Sequence, residues 1–185
     1  MKLRKRIQRT SISLRIVTTL VFALVVYGVF YKLQISGREL LLACILSAAV
    51  NIIYIPFHEY LHLFPLKRRG YKCQTHLSFR QFHAYMFSHD PIRLNHYRLS
   101  LVSPFIFLAL IFIPVFIFIS ATTPFWFFSM LLSLSVCLYG SISDLWQLIQ
   151  TMRCPPTSWV ANTKIDTVVF DDREAALLHI ESIHK

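Results

Sequence analysis

Two histidines and a glutamate lie close together in the segment His58-Glu59-Tyr60-Leu61-His62. In an α-helix, residues four apart differ by about 40° around the axis and about 6 Å along it, so His58 and His62 share one face. Two imidazoles in that arrangement can bind one metal ion, and Glu59 lies near enough to act on a water molecule at the metal. The spacing H-E-x-x-H therefore predicts a zinc site with Glu59 as the general base.

A catalytic zinc needs a third protein ligand, and the apolar stretches of this chain contain few donors. Asp144 is the only acid in the last long apolar stretch. His58 lies nine residues before Lys67, and Asp144 lies nine residues before Arg153. Both are then about 13 Å inside a basic marker of the membrane edge. This matched depth makes Asp144 the predicted third ligand, beside His58 and His62. Two alternatives stay open: Asp144 is only a hydrogen-bonded helix residue, or a loop histidine is the ligand. The loop histidines are His76, His83, His89 and His96.

The elements that must position these residues are apolar helices. Of the 185 residues, 55% are hydrophobic, which is too many for an ordinary soluble domain of this length. A transmembrane helix needs about 20 mainly apolar residues. Four stretches qualify, at about Ile16–Tyr31, Leu40–Phe64, Ser100–Ser120 and Phe125–Met152. The sequence therefore predicts an all-α polytopic membrane protein with four transmembrane helices, the first of them a retained anchor.

The net charge of +10 indicates either a nucleic-acid partner or a membrane topology, and the positions of the cations distinguish the two. Lysine and arginine cluster before the first helix, between residues 64 and 99, and after residue 152. Only Lys32 and Arg38 lie elsewhere. This positive-inside pattern predicts a multi-pass protein of the cell (plasma) membrane with both termini and the central loop, residues 65–99, in the cytoplasm. The expected partner of the basic surface is the lipid bilayer, with no nucleic acid.

Residue types outside the apolar stretches favour a few smaller elements. Tyr71–Phe79 and Phe82–Ser88 have strand-like composition and predict a small cytoplasmic β-hairpin between helices two and three. After Pro155-Pro156, we expect a strand at Ile165–Phe170 and a helix at Asp172–His184. We therefore expect a four-helix membrane metallopeptidase-like domain at residues 1–152 and a cytoplasmic C-terminal tail at 153–185.

The order of these motifs resembles a bacterial family of zincin membrane peptidases, which is itself similar to the site-2 proteases. The resemblance covers about Leu40 to Met152 and includes three elements: His58-Glu59-Tyr60-Leu61-His62, Leu101-Val102-Ser103-Pro104-Phe105 and Gly140-Ser141-Ile142-Ser143-Asp144. In site-2 proteases an aspartate of a later membrane helix completes the zinc site, so the resemblance implies that role for Asp144. The Asn-Pro-Asp-Gly signature of better-known members is absent here.

Together these observations predict a zinc-dependent (Zn²⁺) membrane-embedded endopeptidase that hydrolyses membrane-associated protein or peptide substrates near the cytoplasmic face. Two alternatives remain at this point. One is a non-catalytic polytopic membrane or metal-binding protein that keeps the motif for structure. The other is a histidine-box di-iron membrane oxygenase, although such arrays contain adjacent histidines and this chain has no His-His pair. The sequence does not determine the oligomeric state.

Overall fold

A computed structural model describes residues 3–7, 12–78, 83–120, 123–163 and 166–184. These residues are mostly helical. The helices are α1 (Ile12–Leu33), α2 (Gly37–Lys67), α3 (Leu94–Phe107), a π-helical turn (Leu108–Phe112), α4 (Ile113–Ser120), α5 (Pro124–Met152) and α6 (Arg173–His184). The strands are β1 (Leu3–Ile7), β2 (Cys73–Ser78), β3 (His83–Ser88), β4 (Ile92–Arg93), β5 (Trp159–Asn162) and β6 (Thr167–Phe170).

Several helices are long and apolar enough to cross a membrane. Three such stretches are continuous, namely Ile16–Leu33, Gly37–Lys67 and Leu94–Val115. The two parts of α5, Pro124–Tyr139 and Ser141–Met152, make a fourth if their 41° bend lies within one span. Large apolar side chains on these helices are exposed, as at Ile52 (71%) and Leu110 (71%), which water would oppose and lipid would favour. The chain therefore has the features of a membrane protein with three or four spans.

Helix α2 has a defined start and a defined end. At its start, the Glu39 amide donates to Ser36 Oγ (3.3 Å) while the Ser36 amide donates to Glu39 Oε2 (2.9 Å), which is a capping box. At its end, Gly70 has a φ of +81°, and the Tyr71 amide donates back to the Leu66 carbonyl (3.2 Å). A left-handed glycine with this bond forms a Schellman motif that terminates the helix. Both ends of the helix carrying the H-E-x-x-H segment are thus determined by local sequence.

The strands form two antiparallel sheets. β2 pairs with β3, in the segment between α2 and α3 where a hairpin was predicted; the predicted strand ends at Phe79 and Phe82 lie outside the described residues, and the cytoplasmic location of the pair stays a prediction. The second sheet has the order β1-β6-β5-β4. It was not predicted, so the all-α description is incomplete. The predicted strand at Ile165–Phe170 corresponds to β6, except that Ile165 lies outside the described residues.

The four-stranded sheet is buried on both faces because its side chains alternate. Val160 and Val169, which pair across β5 and β6, pack in a core with Leu66, Leu94 and Tyr97. The next residues along the same strands point to the other face. There they pack against α6, in a cluster of Ala161, Val168, Phe170, Ala175, Ala176 and Ile180. The C-terminal residues therefore form part of a two-sided core.

The chain divides by its contacts into two compact units. One contains residues 1–9, 56–104 and 143–185, and includes both sheets. The other contains residues 10–55 and 105–142; its apolar clusters centre on Phe128 with Ala43, and on Cys137 with Tyr54. The expected boundary between domains 1–152 and 153–185 stays a prediction, because units of contact need not be independent domains.

Asp166 joins three elements of the first unit. Its carboxylate accepts hydrogen bonds from Arg6 of β1 (2.9 Å), from the Thr163 hydroxyl (3.0 Å) and from His179 Nε2 of α6 (3.2 Å). Burial by itself raises the pKa of Asp166, but the hydrogen bonds and charges of these neighbours outweigh it and lower that pKa below its ordinary value. The ionised form of Asp166 therefore stabilises the sheet and α6.

The position of the four-stranded sheet predicts a topology. β1 precedes α1, β4 lies between α2 and α3, and β5 and β6 follow α5, so these three segments must lie on the same side of any membrane that the helices cross. We expect cysteines introduced by Arg68→Cys and Glu181→Cys to react with a membrane-impermeant maleimide from one side, and Arg38→Cys to react from the other. Mass spectrometry would assign each labelled site. Labelling of positions 68 and 181 from opposite sides would contradict the sheet.

The lowered pKa of Asp166 predicts an acid-dependent loss of stability. Its contribution is complete above the pKa of an unfolded aspartate, about 4, and is lost as the pH falls through the lower folded value. We expect Asp166→Asn to destabilise α6 at pH 7, and the difference from wild type to shrink as the pH falls below about 4. Hydrogen exchange of the α6 amides between pH 3 and 7 would measure this difference in stability between Asp166→Asn and wild type. A difference that is constant over this range would show that the carboxylate charge is irrelevant.

Candidate metal centre

Helix α2 brings His58 and His62 together. Their Nε2 atoms are 3.1 Å apart, and their rings are nearly perpendicular, at 87°. Both residues are buried, with 8% and 5% of their surface exposed. The shared face expected from the four-residue spacing is therefore present, and both rings direct the same nitrogen to one point.

Asp144 reaches the same point from α5. Its Oδ2 atom lies 3.0 Å from His58 Nε2 and 3.4 Å from His62 Nε2. Asp144 is also buried, with 8% exposed. Among the residues that the structure describes, His58, His62 and Asp144 are the group of metal-ligating side chains that converges in this way. The predicted third ligand is thus next to the two histidines, although Asp144 is 86 residues from His58 in sequence.

The three atoms fit a tetrahedral zinc ion. Zinc ligands at about 2.0–2.2 Å from the metal, with tetrahedral angles, are about 3.3–3.6 Å from one another. The observed separations among His58 Nε2, His62 Nε2 and Asp144 Oδ2 are 3.0, 3.1 and 3.4 Å. Two imidazole nitrogens and a carboxylate oxygen are also a donor set that zinc accepts, and a fourth position would remain for water. The residues therefore fit a catalytic zinc site.

The protonation of His62 is determined by its second nitrogen. His62 Nδ1 lies 2.8 Å from the backbone carbonyl oxygen of Ser100. A carbonyl can only accept, so Nδ1 must carry a hydrogen. In the neutral ring, Nε2 then has a lone pair directed at the other two side chains. Metal-binding histidines commonly show this arrangement, in which the outer nitrogen donates to a carbonyl and the inner one binds the metal.

Glu59 lies beside the cluster. It follows His58 on α2, is partly buried, and interacts electrostatically with His62, His58 and Asp144. Its carboxylate does not belong to the three-atom cluster among the described residues. Glu59 is thus placed as the H-E-x-x-H spacing predicts, close to the metal ligands and separate from them. Its role as general base stays a prediction.

The loop histidines occupy other surroundings. His96 Nδ1 is hydrogen bonded to the Tyr71 hydroxyl at 2.9 Å. The ring of His89 packs against Phe87. His76 and His83 are residues of β2 and β3. Within the described residues, His76, His89 and His96 do not join the cluster of His58, His62 and Asp144.

Helix α3 forms hydrogen bonds with both α2 and α5, the helices that carry the cluster. This role of α3 was not predicted from the sequence. Ser100 Oγ donates to the His62 carbonyl (2.7 Å), and Ser103 Oγ donates to the Leu61 carbonyl (2.6 Å). Toward α5, the Tyr97 hydroxyl donates to Gln147 Oε1 at 2.7 Å, and Arg98 donates to the carbonyls of Thr151 and Cys154 at the helix end. A serine beside a proline in an apolar helix was the visible signal, since both change the backbone bonding of a membrane helix.

Comparison with known proteins agrees with this geometry. A family model described as "Putative zincin peptidase" matches residues 51–159, more than half of the chain and a range that includes His58, His62 and Asp144. No curated protein and no solved structure shows significant similarity to the chain. On the extent of the family match, the chain belongs to the family described as "Putative zincin peptidase".

Proposed function

We propose that this protein is a zinc-dependent endopeptidase embedded in the membrane. The observation that carries the proposal is the triangle of His58 Nε2, His62 Nε2 and Asp144 Oδ2, with sides of 3.0–3.4 Å. Its sides are within about 0.3 Å of the ligand separations on one face of a tetrahedral zinc site. Membership of a zincin peptidase family and several helices of membrane-spanning length support the same conclusion.

In the proposed mechanism, His58, His62 and Asp144 hold the metal and Glu59 moves the proton. A zinc ion at this position would acidify a water molecule and polarise the peptide carbonyl. Glu59 accepts the proton of the attacking water and then delivers it to the leaving amine nitrogen. Its place next to the ligands, outside the cluster itself, is consistent with that exchange. The buried surroundings strengthen each of these electrostatic interactions.

The proposed substrates are membrane-associated proteins or peptides, cleaved near the cytoplasmic face of the cell membrane. This resembles the chemistry of site-2 proteases, in which an aspartate of a later membrane helix completes the zinc site, the role proposed here for Asp144. A helical substrate has to unwind before its peptide bond can reach the metal. The β2–β3 pair follows α2 directly and offers a strand on which an unwound segment could add by backbone hydrogen bonds.

The other interpretations receive less support. A di-iron centre requires ligands for two ions, whereas the described residues place one group of three ligand side chains together. A purely structural motif would be a hydrogen-bonded cluster, in which His58 Nε2 lies 3.0 Å from Asp144 Oδ2. The match to a zincin peptidase family favours a metal site over that cluster. A buried carboxylate is costly unless a cation or donors compensate it.

The first prediction concerns metal content. Purified protein in detergent is expected to contain one zinc per chain, and His58→Ala, His62→Ala and Asp144→Ala to lose it, because each removes a ligand. His96→Ala is the matched control, a histidine outside the cluster, and should keep the metal. Elemental analysis by mass spectrometry measures all of these. Metal-free wild type, or two irons per chain, would refute the zinc-peptidase proposal.

The second prediction concerns catalysis. Glu59→Gln is expected to retain zinc and to reduce cleavage by about 10²–10⁴-fold, the usual effect of removing a general base. Glu39→Gln is the control, because it makes the same change in the same helix and glutamine can serve in a capping box. New protein N-termini in membranes of cells expressing each form would reveal the cleavage. Identical N-termini for wild type and Glu59→Gln would support the non-catalytic alternative.

A further inference from the structure

Helices α2 and α3 contain three prolines, and for two of them the carbonyl four residues earlier bonds a side chain of the other helix. Pro65 is within α2 and Pro104 is within α3. A proline has no backbone N–H, so the carbonyl four residues earlier loses its intrahelical partner. In these helices the affected carbonyls are those of Leu61 and Ser100. A buried carbonyl without a hydrogen bond is costly, particularly in a membrane, and both therefore need donors from elsewhere.

Each of these carbonyls accepts a hydrogen bond from the other helix. Leu61 O accepts from Ser103 Oγ at 2.6 Å, and Ser100 O accepts from His62 Nδ1 at 2.8 Å. Ser103 Oγ also lies 2.8 Å from Ser100 O, but its single hydroxyl hydrogen bonds only one of the two carbonyls at a time. We call Pro65, Pro104 and these bonds the proline clasp. It is reciprocal, since a proline of each helix makes an acceptor for a side chain of the other.

We propose that Pro104 is a positioning residue for the metal centre, because it keeps the Ser100 carbonyl available to His62. A carbonyl oxygen has two lone pairs, and Ser100 O accepts from His62 Nδ1 while the Ser103 hydrogen bonds Leu61 O. A residue with an N–H at position 104 would add an aligned donor from its own helix, and the two donors would then share one oxygen. Competition would weaken the bond from His62 and release the constraint on its ring.

The consequence of that bond is the orientation and tautomer of His62. With Nδ1 donating to Ser100 O, the ring is held with Nε2 directed at His58 and Asp144. Both Ser100 and Pro104 are fully buried, so water does not compete for the carbonyl. Changes in such outer hydrogen bonds commonly alter metal affinity by about 10–100-fold. The inference deepens the proposed function, on which the identity of the metal rests.

A proline that only bends α3 predicts a different outcome. Replacing a proline in a helix interior by alanine restores a backbone bond and improves helix propensity. On that account Pro104→Ala would be neutral or stabilising and would leave the metal centre unchanged. The proposed role instead predicts that the same change weakens metal binding without weakening the fold.

The test uses the full chain in detergent and measures zinc affinity by competition with a chelator. Pro104→Ala is expected to bind zinc about 10–100-fold more weakly than wild type, with no fall in the melting temperature of the metal-free protein. Pro104→Val, which restores side-chain volume and also carries an N–H, should show the same loss. Pro114→Ala, at an exposed proline of α4, should bind as wild type does. Wild-type affinity in Pro104→Val would overturn the proposal.

A second readout does not require zinc. The ¹⁵N spectrum of His62 in metal-free protein is expected to show a hydrogen fixed on Nδ1 in wild type, and a mixture of tautomers in Pro104→Ala. If wild type binds no zinc but its tautomer depends on Pro104, the clasp stands and the peptidase proposal fails. If zinc binds and neither affinity nor tautomer changes in Pro104→Ala, the clasp fails and the peptidase proposal stands.

The other half of the clasp can be tested in the same protein. Ser103→Ala removes the donor to Leu61 O and is expected to lower the melting temperature, because it leaves that carbonyl unpaired. Pro65→Ala supplies an intrahelical N–H to the same oxygen, so Ser103→Ala should cost much less in that background. Equal losses in both backgrounds would show that Ser103 does not act through the Leu61 carbonyl.

Discussion

The structure depends on bringing a carboxylate and two imidazoles within 3.0–3.4 Å of one another in surroundings from which water is largely excluded. Such a group is expensive to assemble, because a buried charge loses its hydration and needs compensation. Helical geometry supplies only the His58–His62 part, since both lie on α2. Asp144 lies on a different helix, α5, which must therefore be held at the correct depth and rotation relative to α2. The hydrogen bonds of α3 and β1 in the first unit can be understood as fixing the position of Asp144 relative to the two histidines.

Helix α3 keeps Asp144 close to the two histidines because it forms hydrogen bonds with both α2 and α5. Toward α2 the bonds involve Ser100 and Ser103 with the backbone of the H-E-x-x-H turn. Toward α5 they involve Tyr97 and Arg98, while Lys5 of β1 donates to the Gln150 carbonyl. Cationic side chains at those last carbonyls also suit the negative end of a helix. The position of Asp144 is thus defined by contacts one to three turns further along α5.

Much of the site could be predicted from the sequence, because it depends on the spacing of residues within one helix and on their depth in the membrane. Four-residue spacing placed His58 with His62, and equal distances from basic residues brought Asp144 to the same depth. Long apolar runs predicted the limits of α1, α2 and α5 to within about four residues. The run predicted as one helix at Ser100–Ser120 instead begins at Leu94 and is divided into α3, the π-helical turn and α4. Membrane proteins allow this because depth along the bilayer normal is a coordinate that hydropathy and charge record directly.

The four-stranded sheet and the role of the Ser100 carbonyl could not be predicted in this way. β4 has two residues and β5 has four, which is too short for a periodic pattern. A strand was predicted where β6 lies, but not its pairing with β1, whose residues are 160 or more positions away. The carbonyl of Ser100 is a backbone atom, so no residue type marks it as an acceptor. Pro104 was visible as part of a Ser-Pro motif, but a proline indicates which carbonyl loses its partner, not which side chain replaces it.

The sheet order β1-β6-β5-β4 also has a consequence for biogenesis. β1 is made before α1, and its partner β6 is made after α5. The strand therefore cannot pair until all the intervening helices have been synthesised, and Asp144 on α5 likewise follows His58 and His62 on α2. The four-stranded sheet and the cluster of three side chains are thus both completed only after α5 has been made.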